Sequence, residues 1–271
     1  MPAPDAITVP QLARLIGTPD CPLIVDVRTD EDLAADPRFI PTAIRRDYRT
    51  AASWADEYAG RSVVVTCRNG GGLSQGAAAW LRHAGAGAEF LEGGFEGWAG
   101  AGAVVASPAR VPPRDAIGRT LWVTRTRPKI DRVACPWLIR RFIDRDAVFL
   151  FVAPSEVLET AQRFGATAFD FDDVFWSHRG NACTFDTMID EFGLRSEVLT
   201  RLAVIVRAAD TAHLELAPQA AGLLAASLGL SRMYRDDLAQ LEASMSLYDA
   251  FYRWCRDATK EEHKSTPGER V

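Results

Sequence analysis

Runs of β-branched residues alternate with segments of helical periodicity along the first hundred residues. We predict strands over residues 23–27, 63–66 and 88–91. Helices are predicted over residues 8–16, 29–32, 54–58 and from about Ser74, the last with Trp80 and Leu81 on its apolar face. This alternation is typical of a doubly wound parallel sheet, which holds ligands at the carboxyl ends of its strands.

The second half of the chain repeats the alternation and then becomes wholly helical. Strands are predicted over residues 120–124, 147–152 and 168–171, and helices over 131–143, 155–164, 183–192, 196–209, 217–228 and 234–257. Pro136 is expected either to lie in the first turn of its helix or to kink the start. The predicted fold is a second α/β domain that ends in a helical cluster.

These patterns predict two domains of ordinary size. The first covers residues 1–105 and the second residues 119–258. A Pro/Gly-rich linker over residues 106–118 separates them, and the polar tail over 259–271 is expected to be disordered.

A cysteine and a glycine-rich loop separate the strand at 63–66 from the next helix. The loop reads Cys67, Arg68, Asn69, Gly70, Gly71, Gly72, Leu73 and Ser74. Glycines let successive N–H groups turn inward, and the positive end of the helix points into the same space, so an anion or a thiolate would be stabilised there. Cys67 is therefore predicted to be a nucleophile, with a small buried core residue as the alternative.

Four segments around this loop resemble the signature of the rhodanese (sulfurtransferase) domain. They are residues 24–28, residues 39–44, the Cys67 loop and residues 91–98, in the family's order. The resemblance covers about residues 5–105 and implies that Cys67 accepts a sulfane sulfur as a persulfide and passes it to a thiol. It also implies that Asp26 and Arg28 form a structural ion pair.

The loop departs from the family pattern where a cationic residue commonly stands near the helix start. Gly71, Gly72 and Leu73 occupy that part of the loop. Arg68 could supply a positive charge from the other side, or its side chain could point to solvent, whereas the backbone amides remain as anion donors. The loop is also longer than the commonest type, which leaves room for a substrate other than thiosulfate.

Basic side chains concentrate in the second half of this otherwise acidic protein. They are Arg125, Arg127, Lys129, Arg132, Arg140, Arg141 and Arg179. Helical spacing places Arg132 and Arg140 on different sides, so the arginines cannot all meet in one pocket. Two of them, with Arg132, Arg140 and Arg179 as candidates, would suit an oxyanion, and a solvated helix face with ion pairs is the alternative.

His178 stands in a Ser-His-Arg-Gly turn and could be a metal ligand, a general acid or a general base. Its possible companions are Asp131, Cys183, Asp210 and His213. They make a divalent transition metal a candidate cofactor, although no HxH, HExxH or CxxC pair accompanies them. The alternatives are a hydrogen-bonded histidine that orients a loop and, for Cys183, a core position.

Three stretches of the second half are similar to the carboxyl-terminal domain of the ChrB family of chromate-resistance proteins. They are residues 127–144, 175–185 and 205–210. The similarity covers about residues 119–257 and implies an association with chromate resistance, as a sensor, regulator or accessory factor. Regulatory members have a DNA-binding amino-terminal region, and a rhodanese-like domain occupies its place here, so a transcriptional regulator is not expected.

Composition, charge and cysteine content exclude several classes of function and location. A net charge of −5 and a pI near 5.5 argue against a general nucleic-acid binder. No apolar run reaches the roughly 18 residues of a membrane span, and the first residues lack a leader-like region. Five scattered cysteines form neither a disulfide framework nor a zinc pattern. We expect a cytoplasmic protein without nucleic-acid or membrane partners, and the sequence leaves the oligomeric state open.

Chromate, sulfate and thiosulfate are tetrahedral or near-tetrahedral dianions. A thiolate in an anion-binding loop and an Arg-rich domain beside it could therefore act together on such an anion. The first hypothesis is a sulfurtransferase that carries a persulfide on Cys67, with a small sulfur-containing or oxyanion substrate and a thiol acceptor. The second is a non-catalytic oxyanion or metal sensor. The third is reduction of chromate by the thiolate, with electrons supplied from elsewhere.

Overall fold

The amino-terminal half is built on a five-stranded parallel sheet. The computed structural model describes residues 5–261. The strands are β1 (Ala6–Ile7), β2 (Leu23–Asp26), β3 (Ile44–Arg45), β4 (Ser62–Thr66) and β5 (Gly87–Leu91), in the order β1-β5-β4-β2-β3. The central strand β4 pairs Val65 with Val25 on one side and with Phe90 on the other. A central position explains why β4 is a continuous β-branched run, since both of its faces are covered.

In the described part of this half, four α-helices connect the strands and a fifth follows β5. They are α1 (Val9–Leu15), α2 (Asp30–Ala35), α3 (Ala51–Trp54), α4 (Gly72–His83) and α5 (Gly94–Gly100). The buried residues of α4 are Ser74, Ala77, Ala78 and Leu81, which is the spacing of one helical face. Trp80 is 48% exposed, so its predicted place on the apolar face is wrong. Neighbouring residues on a helix point about 100° apart, and Leu81 occupies the buried direction.

Up to residue 261, the second half consists of a three-stranded parallel sheet and six α-helices. The strands are β6 (Leu121–Arg125), β7 (Val148–Val152) and β8 (Thr167–Ala168), in the order β7-β6-β8. The helices are α6 (Asp131–Leu138), α7 (Val157–Phe164), α8 (Thr184–Glu191), α9 (Glu197–Asp210), α10 (Ala220–Met233) and α11 (Asp237–Arg253). The predicted α/β architecture that ends in a helical cluster is confirmed.

Short helical turns complete the chain. The 3-10 turns are Tyr48–Thr50, Ala55–Tyr58, Pro108–Arg110, Pro154–Glu156 and Leu214–Leu216, and the π-helical turns are Ile139–Ile143 and Trp254–Ala258. Pro136 is the sixth residue of α6, so its predicted place in the first turn is wrong. Because proline has no N–H, it cannot donate to the carbonyl of Arg132. The helix passes into its π-helical turn only at Ile139, after the proline.

The two halves share one apolar core, which includes Leu12 and Trp98 from the first and Trp137 and Phe142 from the second. The amide of Thr42 donates to the carbonyl oxygen of Phe142 at 3.1 Å. Contacts of this kind join the halves into one packed unit.

The predicted linker over residues 106–118 pairs with both halves. Ala106 forms a bridge with Phe39, and the Ser107 amide donates to the Phe192 carbonyl oxygen at 2.8 Å. The domain boundaries stay predictions, and the predicted disordered tail lies outside the described residues from position 262 onwards. Among the residues described, no helix combines the length and the hydrophobicity needed to cross a membrane.

Asp26 and Arg28 form a buried ion pair at the carboxyl end of β2. Arg28 NH2 lies 2.6 Å from Asp26 Oδ2, and the two side chains are 1% and 4% exposed. Arg28 also donates to the carbonyl oxygens of Asp36 and Arg38, and its guanidinium lies 3.8 Å from the ring centre of Phe95. The pair therefore holds β2, the end of α2 and the start of α5 together.

We expect Arg28→Met to reduce the free energy of unfolding by about 3–5 kcal/mol, because it leaves the Asp26 carboxylate buried without a counter-charge. Urea denaturation followed by circular dichroism measures the change. The control is Arg45→Met, which breaks an ion pair with Asp30 whose side chains are 51% and 78% exposed. The control should change stability by less than about 1 kcal/mol, and equal losses in the two variants would contradict the structural role of Arg28.

Candidate functional sites

Cys67 follows the central strand β4 directly and lies at the carboxyl edge of the sheet. Its sulfur is 3.1 Å from Ser74 Oγ, 3.9 Å from the carbonyl oxygen of Gly71 and 4.0 Å from Asn69 Oδ1. The residue is only 2% exposed and packs in an apolar cluster with Val65. The sulfur is thus covered by the loop, and the atoms that cover it are polar.

The first turn of α4 offers amide donors close to this sulfur. The Gln75 amide donates to the Gly71 carbonyl oxygen at 3.2 Å, as the first intrahelical bond requires. Within residues 5–261, the amides of Gly72, Leu73 and Ser74 have no hydrogen-bond acceptor. Because the positive end of the helix dipole lies at the same place, this turn can bind an anion next to Cys67.

Arg68 does not supply its charge to this turn. Its Nε lies 2.6 Å from Glu96 Oε1, its NH1 lies 3.8 Å from Asp32 Oδ1, and the side chain is 62% exposed. The acidic partners neutralise the guanidinium at the surface. Anion binding at the loop therefore depends on backbone amides rather than on an arginine.

The backbone of the Cys67 loop packs directly against the start of α5. The amides of Phe95 and Glu96 donate to the carbonyl oxygens of Cys67 and Arg68, at 2.8 and 2.9 Å. A Cβ on Gly94 would overlap the Cys67 carbonyl oxygen and the Gly70 nitrogen. The glycine at position 94 is needed for this close approach, and it fixes the position of the loop.

A second cluster of polar residues lies in the carboxyl-terminal half. Asp131 is the first residue of α6, Asp210 is the last residue of α9, and Asp170 and His178 come from the segment between β8 and α8. His178 Nε2 lies 3.4 Å from Asp131 Oδ2, 3.5 Å from Asp170 Oδ1 and 3.2 Å from Asp210 Oδ2. Three carboxylates thus converge on one imidazole nitrogen.

Neighbouring groups hold two of these carboxylates in place. Thr184 donates its amide to Asp131 Oδ2 at 2.5 Å and its hydroxyl to Asp170 Oδ1 at 2.9 Å. Arg125 NH2 and Arg132 Nε lie 3.4 and 3.3 Å from Asp170 Oδ2. Asp170 is therefore fixed on one side by cations, whereas Asp131 has no arginine partner among the described residues.

Crowding shifts the pKa values in this cluster. Burial raises the pKa of Asp131, and burial together with the charges of Asp131 and Asp170 raises the pKa of Asp210 to about 7. Hydrogen bonds to Asp131 and Asp170 raise the pKa of His178 to about 10. Burial opposes ionisation of Asp170, but hydrogen bonds from His178 and Thr184 outweigh it and lower the pKa of that carboxyl. The carboxylates need nearby positive charge.

The other candidates of the second half lie apart from this group. Arg140 NH1 is 2.6 Å from Glu242 Oε1, and Arg179 NH1 is 2.5 Å from Glu191 Oε1. His213 pairs with Glu215 instead of joining His178. Cys183 is the exception, because it is fully buried beside Asp131 at the start of α8, and burial together with the charge of Asp131 raises the pKa of its thiol. Of the predicted oxyanion or metal residues, the structure brings together Asp131, Arg132, His178 and Asp210.

Sequence reasoning missed Asp170, which contacts His178 and is also bound by Arg125, Arg132 and Thr184. It follows the predicted strand residues Ala168 and Phe169, at the carboxyl edge of a parallel sheet. A carboxylate at the end of an apolar strand was the available signal, because that edge is where α/β sheets hold ligands. Asp170 also has a positive φ of 47°, which only the folded chain shows.

Comparison with known families assigns the two sites to two different domain families. The family model described as "Rhodanese-like domain" matches residues 8–101, and the model described as "ChrB, C-terminal domain" matches residues 122–255. The chain joins a rhodanese-like domain to a ChrB C-terminal domain. Both resemblances seen in the sequence are confirmed, with Cys67 in the rhodanese-like domain and His178 in the ChrB C-terminal domain.

Individual relatives cover one part of the chain each. Protein ChrB of Cupriavidus metallidurans is 34% identical over 146 residues, which are 52% of this chain and 43% of that protein. The chain thus matches less than half of the length of that ChrB.

Solved structures match a comparable share of the chain. A rhodanese-like domain protein from Staphylococcus aureus is 27% identical, with a TM-score of 0.31, over 35% of this chain and 90% of its own. A thiosulfate sulfurtransferase from Pseudomonas aeruginosa is 22% identical, with a TM-score of 0.32, over 39% of this chain and 20% of its own.

We expect Gly94→Ala to reduce the free energy of unfolding by about 3 kcal/mol or more, because the new Cβ meets backbone atoms of the Cys67 loop at a φ of +56°. Gly102→Ala is the matched control, since its φ is +68° and nothing lies within 4 Å of its Cβ position. That control should cost about 1–2 kcal/mol, the usual strain of a left-handed residue. Chemical denaturation measures both variants, and losses of the same size would show that the loop contact is not needed.

Proposed function

We propose that the chain is a chromate-resistance protein whose rhodanese-like domain is a sulfurtransferase that carries a persulfide on Cys67. Its membership of two domain families supports the first part of the proposal. The observation that supports the second part is the place of the Cys67 sulfur, 3.1 Å from Ser74 Oγ at a helix start with three amides that lack acceptors. Such a site stabilises both a thiolate and an anionic sulfur donor.

In the proposed reaction, the Cys67 thiolate attacks the outer sulfur of a sulfane donor such as thiosulfate. The new S–S bond forms as the donor's S–S bond breaks, and sulfite leaves with the bonding electron pair. An acceptor thiolate then attacks the outer sulfur of the persulfide, which releases Cys67 as a thiolate. Both steps balance without an external reductant or oxidant.

The proposed donor must reach a sulfur that is only 2% exposed. The loop segment at Gly71 and Gly72 lies over the sulfur side of the site, and Gly72 is exposed. Displacement of this segment opens a path to Cys67 while the contact with α5 keeps the other side of the loop fixed. Loop opening is therefore part of the proposed cycle.

The proposed partners are a small sulfur-containing or oxyanion substrate and a thiol acceptor, with no nucleic acid and no membrane. The proposed location is the cytoplasm. All five cysteines are free thiols, which suits a reducing compartment and keeps Cys67 available for the reaction.

Incubation of the full chain with thiosulfate should add the mass of one sulfur atom, measured by intact-protein mass spectrometry, and a small thiol should remove it. Cys67→Ser should abolish the added mass, because no other residue is proposed to carry the sulfur. The control is Cys21→Ala, which removes another buried thiol and should load normally.

Two results would overturn the sulfurtransferase proposal. One is no adduct with any sulfane donor in a folded protein. The other is an adduct that persists in Cys67→Ser. The first result would favour the alternative of a non-catalytic sensor, in which Cys67 does not turn over. The second would assign the sulfur to one of the other free thiols.

We expect Ser74→Ala to slow persulfide formation about tenfold or more, because the hydroxyl lies 3.1 Å from the sulfur and can donate to its anionic form. The Ser74 Oγ also lies 3.1 Å from the Gly71 carbonyl oxygen, so its removal loosens the loop. Stopped-flow or quenched loading with thiosulfate measures the rate. Ser53→Ala, which removes an exposed hydroxyl bonded to Thr50, should leave the rate unchanged, and an unchanged rate in Ser74→Ala would refute the assigned contact.

A further inference from the structure

We infer that Asp131, Asp170 and His178 in the ChrB C-terminal domain bind a divalent transition-metal ion, with Asp210 as a fourth ligand. The first three residues each offer one ligand atom, and these atoms all lie within 4.8 Å of one another. They come from two separate parts of the chain, the start of α6 and the segment between β8 and α8, so the fold itself brings them together. The inference does not depend on the chemistry of Cys67.

The spacing of the ligand atoms fits a single ion. Transition metals bind histidine nitrogen and carboxylate oxygen at about 2.0–2.2 Å, so ligands around one ion lie roughly 3–3.5 Å from each other. His178 Nε2 is 3.2–3.5 Å from an oxygen of each of the three aspartates. The ligand atoms of Asp131, Asp170 and His178 lie within 4.8 Å of one another, so an ion would bind here once the side chains close in on it.

An unsatisfied oxygen is a second, independent observation at the same place. Asp131 is fully buried, and within the described residues its Oδ1 has no hydrogen-bond partner. A buried carboxylate oxygen without a partner costs free energy unless an ion or another group binds it. Its other oxygen already accepts from the Thr184 amide. The oxygen nearer to His178 is this Oδ2, so an ion held by both oxygens of Asp131 would supply the missing partner of Oδ1.

Surrounding groups orient the ligands as in known metal sites, where outer hydrogen bonds fix the carboxylates. Thr184 donates to both Asp131 and Asp170, and Arg125 and Arg132 hold the outer oxygen of Asp170. The inner oxygen of Asp170 is thereby turned toward His178. The His178 side chain is 41% exposed, which leaves one side of the ion open to water or a small ligand.

The ligand set indicates the class of ion. One imidazole with two or three carboxylates and no thiolate suits Mn²⁺, Fe²⁺ or Zn²⁺ better than Cu⁺ or an iron–sulfur cluster. Cys183, a candidate from the sequence, is absent from the group of converging ligand atoms in the described residues. We therefore expect a site of oxygen and nitrogen ligands.

The test is equilibrium dialysis of the full chain, first freed of metal with EDTA, against Mn²⁺ and separately Zn²⁺, with elemental analysis of the bound ion. One ion per chain is expected. His178→Gln and Asp170→Asn should each weaken binding at least tenfold, the lower end of what loss of a supporting contact causes in metal sites. His213→Gln, which alters an exposed His–Glu pair, should bind as the unmodified chain does.

Circular dichroism in EDTA establishes that each variant is folded, and if Asp170→Asn is not, the partly exposed His178→Gln decides. Binding of Co²⁺ gives a separate readout. Weak d–d bands that His178→Gln removes support the site. The absence of stoichiometric binding, binding unchanged in His178→Gln, or a sulfur-to-cobalt charge-transfer band would each overturn it.

Discussion

Direct packing of one backbone segment on another is the constraint on which the Cys67 site depends. The loop after β4 is held to α5 through its backbone, because two amides at the start of α5 bond to its carbonyl oxygens. The only side-chain bond from the loop to α5 in the described residues is the exposed pair of Arg68 with Glu96. With these two carbonyls bound to α5, the loop is fixed where the sulfur lies 3.1 Å from Ser74 Oγ, in the first turn of α4 whose amides lack acceptors in the described residues. The glycines within residues 91–98 are far from Cys67 in sequence. They nevertheless fix the position of the Cys67 loop, because α5 can pack closely on its backbone.

Buried charge is handled differently in the two halves. Asp26 and Arg28 form a one-to-one pair in which nearly every polar atom has a partner, and the result is a rigid structural contact. In the ChrB C-terminal domain, three aspartates share one histidine, and the fully buried member keeps an oxygen without a partner. Proteins rarely leave such an oxygen unsatisfied without a functional reason, so this contrast within one chain distinguishes structural burial from a binding site.

Local sequence patterns were enough for the elements and for the features encoded within a few residues. The Cys67 loop, the Asp26–Arg28 pair and the alternation of strands and helices all depend on near neighbours. The prediction that Trp80 lies on the apolar face was wrong because two adjacent bulky residues cannot share one narrow helix face. Leu81 is the one that is buried. The partner of Arg68 lies 28 residues away on α5, and a local sequence pattern cannot predict a contact over that separation.

The cluster around His178 shows the same limit more strongly. Asp131, Asp170, His178 and Asp210 span eighty residues, and their convergence depends on how α6, α9 and the end of β8 pack. Residue type alone identified three of the four. The fourth, Asp170, lay inside a predicted strand. The sequence does not show which residues a side chain on that strand contacts, because this depends on where the neighbouring helices pack.

The two halves of the chain contact each other away from both candidate sites. The contacts involve residues such as Cys21 and Thr42, which precede β2 and β3 and so lie at the amino edge of the first sheet, whereas Cys67 lies at the carboxyl edge. On the other side, Phe142 lies in the π-helical turn that follows α6 and Arg145 lies just after that turn, whereas Asp131 is at the start of α6. These contacts place the thiolate and the carboxylates at different ends of their own elements, away from where the halves meet. Any influence of the His178 cluster on Cys67 must pass along α6 and through the shared core, as a change in helix position rather than as a shared substrate.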